Sequence, residues 1–438
     1  MADVRPFSGI RYNPDKVKDL SRVVTQPYDK ITTEMQARYL QTDPFNFVRL
    51  ILPKADTRPD APDSPTDPYT ASARTLEEWL DSGVLMRDPA PAIYVLEEEF
   101  ETDGSKRTRR GFVAAVRVDE FDKGTVLPHE FTLSKPKADR LNLLRATRAD
   151  YEQIFMLYSD PEREIETLLR PEGAPLMAAT DEYGVTHRMW AIADPRRLRR
   201  VSELMAGKVL LIADGHHRYE TALTYRQEME RAGTVHADAA LRFKTAAFVN
   251  IADLGLLILP THRLLFGLPG FTPDVLKQQL AEYFTVTAVT PDKAQDELTR
   301  NKNGHAFIAY AGKDACFLVR LKDKLALDRF VAQDRSADYR ELDVVVLHAV
   351  IIEGLLGIAR DRIEDHVRYE RYWNKTLERV DSAENQVAFL MNPTRPEQVQ
   401  ALAAKGERMP QKSTDFYPKL ISGMVFMDVA HNQNLSSA

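Results

Sequence analysis

The stretch LLIADGHHRYETAL, residues 210–223, constrains the fold most, because it changes from a strand pattern to a helix pattern within two residues. VLLIAD is short and continuously apolar, as a buried strand is. HHRYETALTYRQEMERAG then carries apolar residues at near-helical spacing and ends at Gly233. Gly215 allows the backbone to turn between the two. The chain therefore contains a strand–turn–helix unit of the kind that builds α/β proteins.

The turn carries a distinctive set of polar residues, namely Asp214, Gly215, His216, His217 and Arg218. The first turn of a helix has backbone N–H groups without helical partners and a partial positive charge, so anions bind there. Arg218 adds a fork of donors suited to phosphate, and the histidines exchange protons near neutral pH. These five residues predict a phosphate site. The alternative is that Asp214 is only an N-cap and the histidines pack at a surface.

Helix and strand patterns interleave along the rest of the chain. AIYVLEEEF and RRGFVAAVRVDEF indicate two strands, and HAFIAYAG with ACFLVRL indicates a hairpin. FKTAAFVNIAD and GLLILPTHRLL each indicate one buried strand. TPDVLKQQLAEYF indicates a helix with Thr272 as N-cap, and LDVVVLHAVIIEGLLG a strongly apolar helix. Residues 53–70, rich in Pro and Asp, are expected to form an exposed loop. The fold class is therefore α/β or α+β.

Composition excludes several classes of protein. A length of 438 residues is typical of two or three domains, and 44% hydrophobic residues can fill their cores. The net charge of −6 gives no reason to expect nucleic acid as a partner. Cys316 is the single cysteine, which excludes a disulfide framework and a cysteine-rich zinc module. No apolar stretch is long enough for a signal peptide or a membrane span, so we expect a cytoplasmic protein.

Further candidate site residues lie before and after the turn. His129 and Glu130 in LPHEFT offer a carboxylate beside a histidine, which can act as a base toward a hydroxyl. Lys137 and Arg140 follow Pro136 at the start of a predicted helix and are candidates for phosphate binding. The alternatives are an exposed loop pair and a solvated helix face.

Asp29 in QPYDKI is a candidate Mg²⁺ ligand or a turn residue. His262 and Arg263 end an apolar strand and serve either a phosphate or a structural pairing. Lys412 in QKST can approach a phosphate as a point charge, although Gln411 stands where a P-loop requires its second glycine.

The motif IADGHHRYETAL resembles the corresponding motif of domain-of-unknown-function family 1015. Other blocks resemble that family in the same order: PFSGIRYN, QPYDKI, FNFVRLILP, PHEFTLSKPKADRLNLLRATRADYEQIFMLYSD, VNIADLGLLILPTHRLL, LDVVVLHAVI and MPQKSTDFYPKLISG. The resemblance covers nearly the whole chain and implies a relation to the ParB/sulfiredoxin-like superfamily. It implies a ParB/sulfiredoxin-like nucleotide-binding core with an N-terminal elaboration over residues 1–255, and an additional C-terminal α/β region over residues 256–438.

The resemblance also implies a function. ParB-like proteins bind CTP, sulfiredoxin binds ATP, and free-serine kinases of that superfamily phosphorylate an amino-acid hydroxyl with a glutamate as base. The implied site therefore holds ATP, ADP or CTP with Mg²⁺ on Asp214–Arg218. Glu130, His129 and His217 are the implied catalytic residues of a kinase that acts on a small hydroxyl compound such as a free amino acid. Sulfinic-acid reduction is not expected, because no cysteine lies near the turn.

Two other functions stay open. A non-catalytic, nucleotide-dependent switch of the ParB type would bind a nucleotide without transferring phosphate. A metal-dependent hydrolase would use Asp214, His216, His217 and His262, although adjacent histidines on a helix point about 100° apart and rarely bind one ion. The expected partners are a nucleotide and a small-molecule substrate, without nucleic acid or membrane, and the sequence leaves the oligomeric state open.

Overall fold

The structure is a computed structural model that describes residues 1–54, 67–102, 104–130, 134–233, 235–410, 412–430 and 433–435. It divides into two compact units. The first comprises Met1–Pro128, Thr132–Leu256 and Pro418–Ala438, and the second comprises His129–Phe131 and Leu257–Tyr417.

The strands are, in chain order, β1 Val4–Arg5, β2 Ile10–Tyr12, β3 Leu85–Arg87, β4 Ile93–Thr102, β5 Ser105–Arg117, β6 Val126–Leu127, β7 Ala149–Asp150, β8 Ile154–Tyr158, β9 Met177–Thr180, β10 Thr186–Ile192, β11 Leu210–Asp214, β12 Phe243–Asn250, β13 Leu257–Leu259, β14 His262–Leu265, β15 Phe284–Ala288, β16 Ala306–Tyr310, β17 Cys316–Leu321, β18 Val367–Glu370, β19 Val387–Met391, β20 Asp415–Tyr417 and β21 Met427–Asp428.

The α-helices are α1 Thr33–Thr42, α2 Val48–Ile51, α3 Pro68–Asp81, α4 Ser134–Thr147, α5 Glu164–Leu168, α6 Pro195–Ala206, α7 His216–Ala232, α8 Pro273–Leu280, α9 Pro291–Arg300, α10 Leu325–Phe330, α11 Ala337–Arg340, α12 Asp343–Val345, α13 Ile363–His366, α14 Trp373–Asp381 and α15 Pro396–Ala404. A π-helix spans Val346–Leu355, and 3₁₀ turns span Leu20–Arg22, Tyr28–Lys30, Phe121–Lys123, Ala240–Arg242 and Arg360–Arg362.

The first unit is built on a mixed sheet. Within its described ranges, nine strands pair in the order β6-β11-β8-β12-β5-β4-β10-β9, with β1 added to β5. β11 runs parallel to β6 and antiparallel to β8, so it lies inside the sheet. Side chains from these strands pack with α6 and α7 in one apolar core, which includes Met156, Ile212, Phe248, Val201, Met205 and Tyr219. This packing fixes the end of β11 and the start of α7, where the predicted phosphate turn lies.

The second unit is built on an antiparallel sheet. Six of its described strands pair in the order β15-β17-β16-β19-β14-β18, and β13 pairs separately with β20. Its core includes Leu264, Leu298, Ile308, Leu318 and Leu390. Both units combine helices with a sheet, which confirms the mixed α/β class predicted from the interleaved patterns.

Several local predictions are confirmed. β4 and β5 pair antiparallel, and β16 and β17 form the predicted hairpin. The side chain of Thr272 accepts a hydrogen bond from the Val275 N–H and caps α8. Among the described helices, none is long and apolar enough to cross a membrane.

Three local predictions are wrong. GLLILPTHRLL forms β13 and β14 rather than one strand, and the break falls at Pro260, which lacks a backbone donor. The apolar helix is α only over α12 and continues as the π-helix. The loop predicted for residues 53–70 ends earlier, because Asp67 caps α3 by accepting from the Tyr69 and Thr70 N–H groups. Residues 55–66 of that loop lie outside the described residues.

Candidate functional site

The predicted turn joins β11 to α7. Gly215 occupies the N-cap position with φ 93° and ψ 27°, in the left-handed region that favours glycine. A Cβ atom added there would lie 3.0 Å from Nε of Arg218 and 3.1 Å from its Cζ and Nη2. Because three guanidinium atoms are nearly equidistant from that point, the face of the guanidinium lies against the turn. Any other residue would strain the backbone here and would force the guanidinium to shift by a few tenths of an ångström.

Arg218 is buried and fixed from two sides. Its Nη1 donates a hydrogen bond to the carbonyl oxygen of Gln153, just before β8, and its Nη2 lies 3.9 Å from Oδ1 of Asp214. Burial lowers the pKa of Arg218, but nearby negative charges, with Asp214 first, outweigh burial and raise it. The guanidinium is therefore charged and already positioned before any ligand arrives.

Asp214 is the last residue of β11 and lies among positive charges. Nζ of Lys419 is 3.2 Å from its Oδ2. Burial alone would raise the pKa of Asp214, but Lys419, Arg218 and Lys30 together lower it well below its usual range. The interpretation of Asp214 as an N-cap is wrong, since Gly215 holds that position and no side chain caps α7 there.

Lys30 and Lys419 are the site residues that the sequence interpretation missed. Together with Arg218 they place three cations around one carboxylate. The start of α7 adds the positive end of a 17-residue helix. Both lysines belong to segments whose sequence resembles the family, QPYDKI and MPQKSTDFYPKLISG, and that resemblance is the signal that could have identified them.

The two histidines occupy the first turn of α7, as predicted. His216 is buried and His217 is half-buried. The carbonyl oxygen of His217 accepts a hydrogen bond from Oγ1 of Thr221 at 2.8 Å. This bond lies inside the helix and involves the His217 backbone rather than its imidazole ring.

The 3₁₀ turn Tyr28–Lys30 borders Arg218. Asp29 is exposed, and its charge raises the pKa of Arg218. Burial, aided by Asp29 and Glu152, raises the pKa of Tyr28 to about 12. Oε1 of Glu152 accepts hydrogen bonds from the Tyr28 N–H at 3.0 Å and from Oγ of Ser422 at 3.1 Å. Glu152 thereby ties the segments that carry Lys30 and Lys419 to β8.

Lys137 and Arg140 lie on α4, and each is engaged by a carboxylate. Nζ of Lys137 is 2.6 Å from Oε2 of Glu220 on α7. Arg140 is buried, pairs with Asp139 at 2.5 Å and donates to the Ile51 carbonyl oxygen at 2.6 Å. Its guanidinium lies 4.2 Å from the centre of the Tyr28 ring. The structure therefore brings Arg140 near the turn, where it supports Tyr28.

A cavity of about 60 Å³ borders Arg218 on the side of α4. Charged residues in its wall are Arg140, Asp150, Glu152, Arg218 and Lys244. A buried water needs about 10–15 Å³, so the cavity has room for a few waters, whereas ligand pockets measure about 300–1,000 Å³. This cavity is therefore too small for a nucleotide.

The second unit brings together the other predicted residues. Nε2 of His129 is 2.8 Å from Oγ1 of Thr414 and 3.8 Å from Oε1 of Glu130. Oγ1 of Thr414 is 3.4 Å from the same Glu130 oxygen. His129 is fully buried while the Glu130 side chain is 21% exposed, so the carboxylate is more accessible than the imidazole.

His262 and Arg263 lie in the core of the second unit. Arg263 donates from Nε to Nε2 of His348 at 3.1 Å and from Nη2 to the carbonyl oxygen of Lys412 at 3.0 Å. Burial lowers the pKa of Arg263 to about 10. Burial, aided by Arg263, lowers the pKa of His262 to about 3. Lys412 itself is exposed, and its backbone φ is 59°.

No group of three or more His, Cys, Asp or Glu residues that could hold a metal ion occurs among the described residues. The four-residue set Asp214, His216, His217 and His262 is thus not found as a metal-binding cluster. Mg²⁺ bound with a nucleotide needs fewer protein ligands, since it takes one or two carboxylates and completes its coordination shell with phosphate oxygens and water. The exposed carboxylate of Asp29 could be such a ligand.

Comparison with known proteins gives a family and a set of remote structural likenesses. The model of the family described as protein of unknown function (DUF1015) matches residues 4–345. A search of curated proteins returns no match. Similar solved structures include a free serine kinase in complex with AMP, with 13% identity and a TM-score of 0.36, covering 72% of this chain and 91% of that one.

Two further structures are similar at the same level. A conserved hypothetical protein from Pyrococcus furiosus has 14% identity and a TM-score of 0.34, covering 72% of this chain and 94% of that one. SbnI with a C-terminal truncation, from Staphylococcus aureus, has 12% identity and a TM-score of 0.33, covering 70% and 84%. At these scores, the ligand named for a structure is a property of that protein.

Proposed function

Starting from a chain that belongs to the DUF1015 family of proteins of unknown function, we propose that it binds a nucleoside di- or triphosphate through the Gly215–Arg218 turn. We further propose that it transfers a phosphoryl group to a small hydroxyl compound. The observation that carries the proposal is the packing of the Arg218 guanidinium against a left-handed glycine at a helix start.

Electrostatics support a polyanionic ligand. Lys30, Arg218 and Lys419 lie near the carboxylate of Asp214, with Asp29 and Glu152 also close to Arg218, and the α7 dipole adds positive potential at the same point. Three cations beside the positive end of a helix can pair with an anion, and a nucleotide brings several negative charges at once. Asp214 would hold Lys419 and Arg218 in place, because its lowered pKa keeps it ionised across the neutral range.

The transfer step would follow the usual course of phosphoryl transfer. The substrate hydroxyl oxygen forms a bond to the terminal phosphorus, and the bridging P–O bond breaks, so its electron pair leaves with the nucleotide. The hydroxyl proton passes to a base, for which His217 and the Glu130–His129 pair are the candidates in their respective units. Asp29 would hold Mg²⁺, which neutralises charge on the phosphates when bound.

Calorimetric titration with ATP, ADP and CTP, each with Mg²⁺ and with EDTA, tests the binding step. We expect Arg218→Lys to weaken binding about tenfold or more, because lysine lacks the planar fork. Arg226→Lys is the matched control, since Arg226 lies two turns along α7 and is equally buried, with 7% exposure against 8%. The proposal fails if none of the three nucleotides binds, or if both variants bind equally.

Phosphorus NMR of the protein with nucleotide and a panel of hydroxy acids and hydroxy amino acids tests the transfer step. A new phosphate monoester signal is expected. Binding without any such product would favour the non-catalytic switch over the kinase.

A further inference from the structure

A row of buried charges crosses the sheet of the first unit, away from the turn. Glu98 on β4 is the direct cross-strand partner of Arg109 on β5 and of His187 on β10. These three side chains are at most 1% exposed. Asp181, which follows β9, extends the row. We call Arg109, Glu98, His187 and Asp181 the buried charge chain.

The contacts along the buried charge chain are continuous. Nη2 of Arg109 lies 2.5 Å from Oε2 of Glu98, and Nδ1 of His187 lies 3.4 Å from Oε1 of Glu98. Nε2 of His187 lies 3.3 Å from Oδ2 of Asp181. Charges of alternating sign therefore run across β5, β4 and β10 and reach the β9–β10 turn.

Each end of the buried charge chain contacts a segment that leads to a lysine of the candidate site. Nη2 of Arg109 donates to the carbonyl oxygen of Pro418 at 2.7 Å, and Pro418 directly precedes Lys419. Nε2 of Gln26 donates to Oδ2 of Asp181 at 3.3 Å, and Gln26 lies four residues before Lys30. The same two segments pair with each other, because Thr25 and Ser422 form an antiparallel bridge.

Stability alone does not explain the chain. Nη1 of Arg109 is buried without a hydrogen-bond partner in the described structure. Such atoms are destabilising, and apolar side chains often replace a buried ion pair at no loss of stability. The stability of the sheet alone therefore does not explain this row of charges.

We propose that the buried charge chain is a positioning device that sets the two lysine-bearing segments, 24–30 and 418–424, and that charged His187 holds it together. This proposal rests on the proposed function only in the role given to Lys30 and Lys419 in phosphate binding. His187 touches no reacting atom and acts through Glu98 and Asp181, so it is a positioning residue.

The position of His187 makes the device sensitive to pH. It faces Glu98 on β4 and Asp181 beside β9, with Arg109 beyond Glu98, and with Gln26 and Glu182 beyond Asp181. Burial lowers the pKa of His187, but the carboxylates outweigh burial and raise it. The positive charge of His187 is therefore fully present below the ordinary histidine pKa of about 6.5. It is lost as pH rises through the higher pKa that His187 has in the folded protein.

Hydrogen exchange without nucleotide tests the proposal. In His187→Gln we expect amides of residues 24–30 and 418–424 to exchange about tenfold faster than in the wild type, while amides of β12 keep their rates. His236→Gln is the matched control, because His236 is a surface histidine of the same unit with a side chain 66% exposed. Equal exchange in the two variants would overturn the positioning role.

Two further readouts separate this proposal from the proposed function. The first readout uses the wild type, so it is available even if His187→Gln does not fold. After correction for its intrinsic pH dependence, amide exchange in the two segments should become faster as His187 loses its proton. A flat corrected profile would overturn the proposal. If the segments respond but no nucleotide binds at any pH, the positioning role stands and the proposed function fails.

Discussion

Replacing Gly215 by alanine tests how the turn is built. Alanine in the left-handed region costs about 1–2 kcal/mol, and Gly215 has φ 93°. The new Cβ would also lie 3.0–3.1 Å from Nε, Cζ and Nη2 of Arg218, which is tighter than most Cβ contacts. The guanidinium must then shift by a few tenths of an ångström, which weakens its hydrogen bond to the Gln153 carbonyl oxygen.

The magnitude follows from these two effects. A hydrogen bond from a charged group contributes about 1.5–3 kcal/mol, so its weakening adds to the backbone cost, and Gly215→Ala should lower the free energy of unfolding by at most about 5 kcal/mol. Gly124→Ala is the matched control, because Gly124 has φ 67° in the same unit and no atom within 4 Å of the added Cβ. We expect only the backbone cost there, about 1–2 kcal/mol.

Urea unfolding of both variants, followed by circular dichroism, measures the difference. Titration with ADP then shows whether displacement of Arg218 reaches the ligand: Gly215→Ala should weaken binding at least tenfold, and Gly124→Ala should leave it unchanged. Equal losses of unfolding free energy in the two variants, together with equal ADP affinity, would refute the packing of Arg218 on Gly215 as the basis of the site.

Three other substitutions test separate parts of the molecule. Lys419→Met removes the main charge that lowers the pKa of Asp214 against burial. Ionised Asp214 contributes stability that is present above its unfolded pKa of about 3.9 and is lost as pH falls through its folded pKa. In urea unfolding between pH 3 and 7, the variant should lose this stability at a higher pH than the wild type. His262 stays neutral in the folded protein down to about pH 3. The free energy of unfolding should therefore fall by up to about 1.4 kcal/mol per pH unit as pH falls below about 6.5, the pKa of a histidine in the unfolded chain. His262→Asn should flatten that dependence. Glu130→Gln should abolish any transferred phosphate in the phosphorus NMR assay while ADP affinity stays at the wild-type value; an unchanged transfer rate would remove Glu130 from the catalytic residues.

Local patterns predicted the secondary structure of the turn well. The apolar run of β11, the glycine and the periodicity of α7 are contiguous, so physical rules that act over a few residues were sufficient. The same rules placed His216, His217 and Arg218 in the first helical turn. They did not give the direction of Arg218, because the carbonyl oxygen of Gln153 that accepts its hydrogen bond lies 65 residues earlier in the chain.

Contacts between residues far apart in the sequence limited the prediction of the rest of the site. Lys419 lies 205 residues after Asp214, and only the folded chain brings the two within 3.2 Å. A lysine near the chain end reads as a surface residue until its partner is known. In the second unit, Thr414 reaches His129 across 285 residues for the same reason.

The buried charge chain shows that a usable signal was nonetheless present. Side chains alternate along a strand, so Glu98 of β4 shares a face with Leu96 and Phe100, and all three are buried. A carboxylate on an apolar strand face requires a partner, since an unpaired buried charge is very costly. Period-two reading of EEEF therefore predicts a buried ion pair at Glu98. Naming Arg109 as the partner needs the register of the β4–β5 hairpin, in which Thr102 pairs with Ser105.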